Sequence, residues 1–314
     1  MIDFRYHLVS IISIFLALAV GIVLGAGPLQ SNLGSTLGDQ VTALRNEKQD
    51  LNTKLTDTQK QLAAAAEFET AITPSLVAGR LSGHGVILVV LPSVESKLVD
   101  STSRALAQSG AKVHGTVTLS ADWFDPAKAS ERAKAAAAAA AALDLRPTKT
   151  GDQLLTEVLG RLTVSELPLG TNADRDKAMA ELSDAGLLDS SDPQLTPADL
   201  AVVVSGDHSG SQSEVDAWSE RVRALALRLE SGSQATVVVG GAPVQAAGKA
   251  VSTDAVSAVR SDRRASAAVS TVDHAGVARG PAVTVLAIEA QLADQVGHYG
   301  TAPGADAILP KVSP

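Results

Sequence analysis

The chain has 314 residues, with 26 basic against 34 acidic side chains and a net charge of −8. That balance leaves no cationic face for nucleic acid, and the absence of cysteine removes disulfides, thiolate nucleophiles and thiolate metal sites together. Aromatic residues make up only 3%, so aliphatic and small side chains must supply the core.

From Leu8 to Gly27 no charged side chain occurs. In a helix rising about 1.5 Å per residue, such a run matches the roughly 30 Å hydrocarbon core of a bilayer. It is longer than the apolar part of a secretory signal, so a transmembrane helix over 8–27 is expected in preference to a cleaved leader. Arg5 and His7 precede the span, and no basic residue follows until Arg45. Positive charge prefers the cytoplasmic side. Residues 1–7 are therefore expected as a cytoplasmic start, with the bulk of the chain outside a single-pass inner (cytoplasmic) membrane anchor. Ala17, Gly21 and Gly25 recur every four residues, a spacing that lets two membrane helices approach closely. A lone helix that happens to be rich in glycine is the alternative.

Beyond Pro28 and a polar Gly/Ser stretch, a 4-3 apolar rhythm begins. Leu33, Leu37, Val41, Leu44, Leu51, Leu55, Leu62 and Ala65 fall on one seam, with Lys48 and Thr58 at two seam positions. Charged residues such as Asp50 and Lys54, an i,i+4 pair, lie between them. Sustained heptads flanked by charge predict a coiled-coil stalk over 33–72 and a homodimer joined through it. An amphipathic helix docked on its own domain is the alternative. Pro74 is expected to end the helix, and about 40 helical residues would extend roughly 60 Å.

Past Arg80 short aliphatic strands alternate with helices. Val86–Leu91 is a continuous apolar run, the pattern of a buried parallel strand. Ser93 is expected to cap the following helix, Gly110 to close it, and 112–119 to form a second strand. The same unit recurs as a strand at 200–204, a helix over 213–229 and a strand at 236–239, with a last strand at Val283–Ile288. Helices are expected between these units at 128–143, 152–162 and 173–187, the first with an alanine run read as a bland surface helix. The fold class is thus α/β: an extracytoplasmic domain over 81–300, Rossmann-like with a mostly parallel sheet and a helical insertion, followed by a disordered tail at 301–314.

The carboxyl ends of such strands are the usual ligand site. Here the loop Pro92-Ser93 has no phosphate cradle, and Ser205-Gly206-Asp207-His208-Ser209-Gly210 places Ser209 wrongly for a nucleophile elbow. Gly240-Gly241 lacks the dinucleotide fingerprint. Surface turns are the better reading, and the domain reads as a binding or structural module without a cofactor, not as an enzyme. The six histidines never take a standard ligand spacing, and Met1 and Met179 are the only thioethers for soft Cu(I). A metal site assembled from His84, His114 and His208 is conceivable; polar or capping roles are favoured.

Two blocks carry a family resemblance: Asp3-Phe4-Arg5-Tyr6-His7-Leu8-Val9-Ser10 with Leu24-Gly25-Ala26-Gly27-Pro28-Leu29, and Ser270-Thr271-Val272-Asp273-His274-Ala275 with Gly297-His298-Tyr299-Gly300. Together they resemble the actinobacterial MctB family (mycobacterial copper transport protein B). The resemblance implies copper efflux across an outer, mycolate-type membrane. It also implies a cell-separation component, in which the exported coiled coil works with a membrane partner to control a peptidoglycan hydrolase. Few, short, wholly apolar strands separated by helices do not suit a membrane barrel, so the scaffold reading is preferred and a role in copper homeostasis is the alternative.

Overall fold

The computed structural model describes residues 4–26, 28–146, 148–165, 170–190, 195–241 and 251–311; side chains of 26–37 fall outside the described residues. The chain divides into two compact units, Met1–Ala65 and Ala66–Pro314.

The first unit holds α1 (Phe4–Ala26), which is long and apolar enough to cross a membrane, and most of α2 (Pro28–Val77). Proline is tolerated at the first helical position, where its missing N–H would have no partner, so α2 can begin on Pro28. In α1 the Ser13 hydroxyl donates to Val9 O at 2.8 Å, hiding its polarity within the helix. The seam residues Val41, Leu44, Leu51, Leu55 and Leu62 are all exposed; Leu33 and Leu37 lie outside the described side chains. Two expectations for α2 are corrected. The polar stretch after Pro28 is already helical, and Pro74 sits inside the helix, which runs on to Val77. The ring removes one donor from the ladder. The next turn still closes, with Ala78 N bonded to Pro74 O at 3.1 Å and the Thr73 hydroxyl bonded to Glu69 O at 2.7 Å.

The second unit starts with the last turns of α2 and continues through β1 (Gly85–Val90), α3 (Ser96–Gln108) and β2 (Lys112–Leu119). The insertion follows as α4 (Ala129–Ala142), α5 (Gly151–Thr163) and α6 (Asn172–Asp184). Next come β3 (Leu188–Ser190), β4 (Leu200–Ser205), β5 (His208–Gly210), α7 (Gln212–Glu230), β6 (Ala235–Gly240), β7 (Val251–Thr253), α8 (Ala255–Arg260) and α9 (Arg263–Ala268). The chain closes with β8 (Ser270–Val272), α10 (Gly280–Leu292) and β9 (His298–Tyr299). The main sheet has the order β3-β2-β1-β4-β6-β8-β9, parallel except for β3, while β5 and β7 pair antiparallel on their own.

Because side chains alternate across a strand, one run of apolar residues feeds two cores. Ile87, Val89, Ala201, Val203 and Val238 pack beneath α4, α5, α6, α7 and α8. Val86, Leu88, Val90, Val202, Val204, Val237 and Val239 pack on the other face against α3 and α10. That is why these strands read as continuously hydrophobic.

Four further expectations are corrected. Val283–Ile288 lies in α10, not in a strand; the apolar run continues to Leu292, beyond usual strand length, and is buried nearly all round, with proline in its first turn. The strand at that side of the sheet is the short, polar β8. Ser93 does not cap α3, whose N-cap is Glu95; Ser93 instead has a φ of 66°. The alanine run is not a bland surface, since Ala135, Ala136, Ala139 and Ala140 form a buried face. Nor is 301–311 a free tail: Thr301 N and Ala302 N bond Asp273, and Gly300 N bonds Ala307 O.

Candidate functional site

The sheet order makes β1 and β4 the switch point: β1 leads through α3 to β2 on one side, and β4 leads through α7 to β6 on the other. A ligand crevice would normally open outside the carboxyl ends of these two strands. Here it is filled by backbone. Leu91 N donates to Val204 O at 2.9 Å. Gly206 approaches Ser93 O so closely that a Cβ there would overlap it. Ser205 is fully buried; its hydroxyl donates to Gly206 O at 2.8 Å and accepts from Ala255 N at 3.0 Å, so it holds a turn together and has no free face for attack.

Beside this plug, Asp254 is 1% exposed. Its Oδ1 accepts from Ser257 N at 2.7 Å, and its Oδ2 has no partner among the described residues. Burial raises its pKa, and the charge of Asp207 adds to the rise. His208, on β5, stacks flat on Trp218 with ring centroids 4.9 Å apart, and Trp218 in turn meets Phe124. Burial lowers the His208 pKa, against a smaller opposing pull from Glu214.

The other two candidate histidines lie at the opposite end of the sheet. His84, just before β1, sets Nδ1 at 2.5 Å from Asp199 Oδ2, while Asp199 Oδ1 accepts from Gly85 N at 2.6 Å. His114, on β2, sets Nδ1 at 3.1 Å from Pro197 O, and its ring lies so close to Gly85 that a Cβ there would overlap it. His84 and His114 thus flank one glycine, while His208 is about 20 Å away, the length of β4. No group of three His, Cys, Asp or Glu side chains able to hold a metal ion occurs among the described residues. The interaction residues Val41, Leu44, Leu51, Leu55 and Leu62 share one exposed stripe of α2. Gly21 and Gly25 have nothing within 4 Å of a would-be Cβ, so that face of α1 is open.

A cluster that sequence reasoning assigned no role gathers the carboxyl-terminal blocks. The Asp273 carboxylate is fully buried between β8 and β9. It accepts from Arg260 Nη1 at 2.7 Å, His274 Nδ1 at 2.5 Å, Thr301 N at 2.8 Å and Ala302 N at 3.1 Å. Arg260 also donates to Thr271 Oγ1 at 2.8 Å and to Tyr299 O at 3.0 Å. Burial alone would raise the Asp273 pKa, but the bonds from His274, Thr301, Arg260 and Ala302 outweigh it and hold the carboxyl below its usual value. At Gly300 (φ 129°) a Cβ would run into Asp273, so only glycine fits. This is a clasp that ties residues 297–303 to the sheet, and every oxygen of its carboxylate is spent.

An open cleft of about 530 Å³ lies between the end of α2, α3 and the loop before α10, lined by Thr70, Thr73, Leu98, Arg104, Val277 and Pro281 among others.

A protein family described as "Copper transport outer membrane protein, MctB" matches residues 1–310. Among curated proteins, the copper transporter MctB of Mycobacterium tuberculosis (H37Rv) is 29% identical over 325 residues, covering 97% of this chain and 98% of its own length. The Mycobacterium bovis protein of the same name matches equally, and that of Mycobacterium leprae is 28% identical, covering 98% of this chain and 99% of its own.

Proposed function

The chain belongs to the MctB family, and on that premise we propose that it is a membrane-anchored scaffold of the cell envelope. α1 lies in the inner membrane with its amino terminus in the cytoplasm, and α2 pairs with α2 of a second copy. The extracytoplasmic α/β domain then works with a membrane partner protein to control a peptidoglycan hydrolase during cell separation. The observation that carries this reading is the stripe Val41, Leu44, Leu51, Leu55 and Leu62, five apolar side chains exposed at heptad spacing beside an apolar span. A second helix that covers such a stripe removes it from water, which favours pairing. The filled switch-point crevice adds to it, because it leaves the domain without the usual place for a substrate and favours a non-enzymatic role. Crosslinking the protein in cells and identifying what it touches tests the proposal. An envelope hydrolase or its membrane regulator is the expected capture, with deletion strains forming chains of unseparated cells. Capture of copper-handling proteins alone, with normal septa on deletion, would overturn it.

Copper transport is the second reading, favoured by the names that the relatives carry. As cargo, Cu(I) prefers thiolate and thioether donors, and this chain has no cysteine and two methionines. The main sheet is an open one covered by helices on both faces, with a different architecture from a lipid-facing barrel. A copper role for this chain would therefore run through another transporter. Competition against a Cu(I) chelator separates the two: no stoichiometric tight uptake is expected.

A further inference from the structure

A second cleft, of about 240 Å³, lies between the loop that follows α4 and the body of α5, lined by Leu145, Arg146, Thr148, Lys149, Leu154, Glu157 and Arg161. Its charge is unlike that of the chain as a whole. Glu157 receives Arg161 Nε at 2.6 Å, Lys149 Nζ at 3.1 Å, and Arg228 through Nε at 2.9 Å and Nη2 at 3.2 Å. Arg146 is exposed on the rim, with no partner for its guanidinium among the described residues. Three cations thus hold one carboxylate, and a fourth lines the same cleft, in a protein with eight more acidic than basic residues. Burial alone would raise the Glu157 pKa, but its cationic partners drive it down to about 2. The other acid of this stretch, Asp152, is already taken by Arg132 and Arg221.

An ion-pair network needed only to pack α5 on α7 would be complete with Glu157, Arg228 and Arg161. Arg146 and Lys149 exceed that need, and an Arg161 bond made through Nε leaves its terminal nitrogens for a second acceptor. We propose that this cleft binds a phosphate group, free or as an ester of a larger molecule. Arg146, Lys149 and Arg161 would take the phosphate oxygens, and Leu145 and Leu154 would floor the space beside it. Paired guanidinium and ammonium donors suit a tetrahedral dianion. The site belongs to the second unit and does not depend on the scaffold reading.

The test uses the full chain in phosphatidylcholine nanodiscs at low ionic strength, titrated calorimetrically with inorganic pyrophosphate and, separately, with glycerol 3-phosphate. Saturable binding of at least one probe is expected, weakened about tenfold by Arg146→Ala, which is exposed and should melt as the wild type, and by Lys149→Ala, which also loses its bond to Glu157 and should melt slightly lower. Lys97→Ala, on α3, should leave it unchanged. Preference for glycerol 3-phosphate identifies an ester ligand, and preference for pyrophosphate a free anion; either supports the site. No saturable binding of either probe at millimolar concentration, or equal binding by wild type and both cleft variants, would overturn it.

Discussion

Leucine stands in opposite settings in the two units. On α2, Leu44 and Leu62 are 66% and 65% exposed, whereas Leu88 of β1 and Leu106 of α3 are fully buried. Each buried leucine contributes roughly 1.5–3 kcal/mol by leaving water, and the α/β domain collects that gain within one chain, on both faces of its sheet. The α2 stripe collects none of it alone. One region is therefore complete as a fold, and the other gains from its leucines only if a second helix covers them, as proposed above.

The sharpest way to break the comparison is inside the domain. Arg260→Leu would take the guanidinium from the buried Asp273 carboxylate, leaving it only the bonds from His274, Thr301 and Ala302, a change expected to cost about 3–5 kcal/mol; urea unfolding should show it as a lowered midpoint. Leu88→Ala should cost about 2–5 kcal/mol through the cavity it opens between β1 and the helices. The matching change on α2, Leu51→Ala, should leave the melting of the domain where it is while weakening self-association. Equal losses from Leu88→Ala and Leu51→Ala would mean that the two settings are not different in kind.

Smaller effects come from two carboxylates whose pKa values are shifted in opposite directions. Glu157 has a folded pKa of about 2, below its ordinary 4.5, so its stabilising contribution is present above about 4.5 and is lost as pH falls toward about 2. Its partial exposure keeps the effect modest. Asp254 has a raised folded pKa, so the native state holds its proton more tightly than the unfolded chain. Its contribution favours the fold at low pH and fades as pH rises past the ordinary carboxylate value toward the folded one. Asp254→Asn should remove that pH dependence and leave the fold slightly more stable near neutrality. Thermal melts across pH would detect both slopes, and a variant that melts lower at neutral pH would contradict the account of Asp254.

Much of the domain was legible from periodicity. The buried runs at 86–91, 200–204 and 236–239 and the helices near 152–162 and 213–229 fall within a few residues of the observed elements, because apolar runs bounded by turn residues report burial directly. What escaped was whatever depended on distant partners. β8 is Ser-Thr-Val, too short and polar to announce a buried strand. α10 is as apolar as a strand because the domain encloses it. Asp273 and Arg260 meet 13 residues apart and close on Gly300 and Thr301 just after β9, so only the block Ser270–Ala275 with Gly297–Gly300 hinted at the clasp. The three candidate histidines were separable only in space, since the parallel direction of β1, β2 and β4, not sequence spacing, puts His84 and His114 at one end and His208 at the other.

The claim that α2 is half of an interface is tested most directly by sedimentation of the stalk and domain together, residues 33–314, at roughly micromolar concentration. A dimer is predicted, and the double variant Leu44→Asp, Leu55→Asp should sediment as a monomer whose domain melts as in the wild type. A monomeric wild-type fragment, or a double variant that stays dimeric, would contradict it.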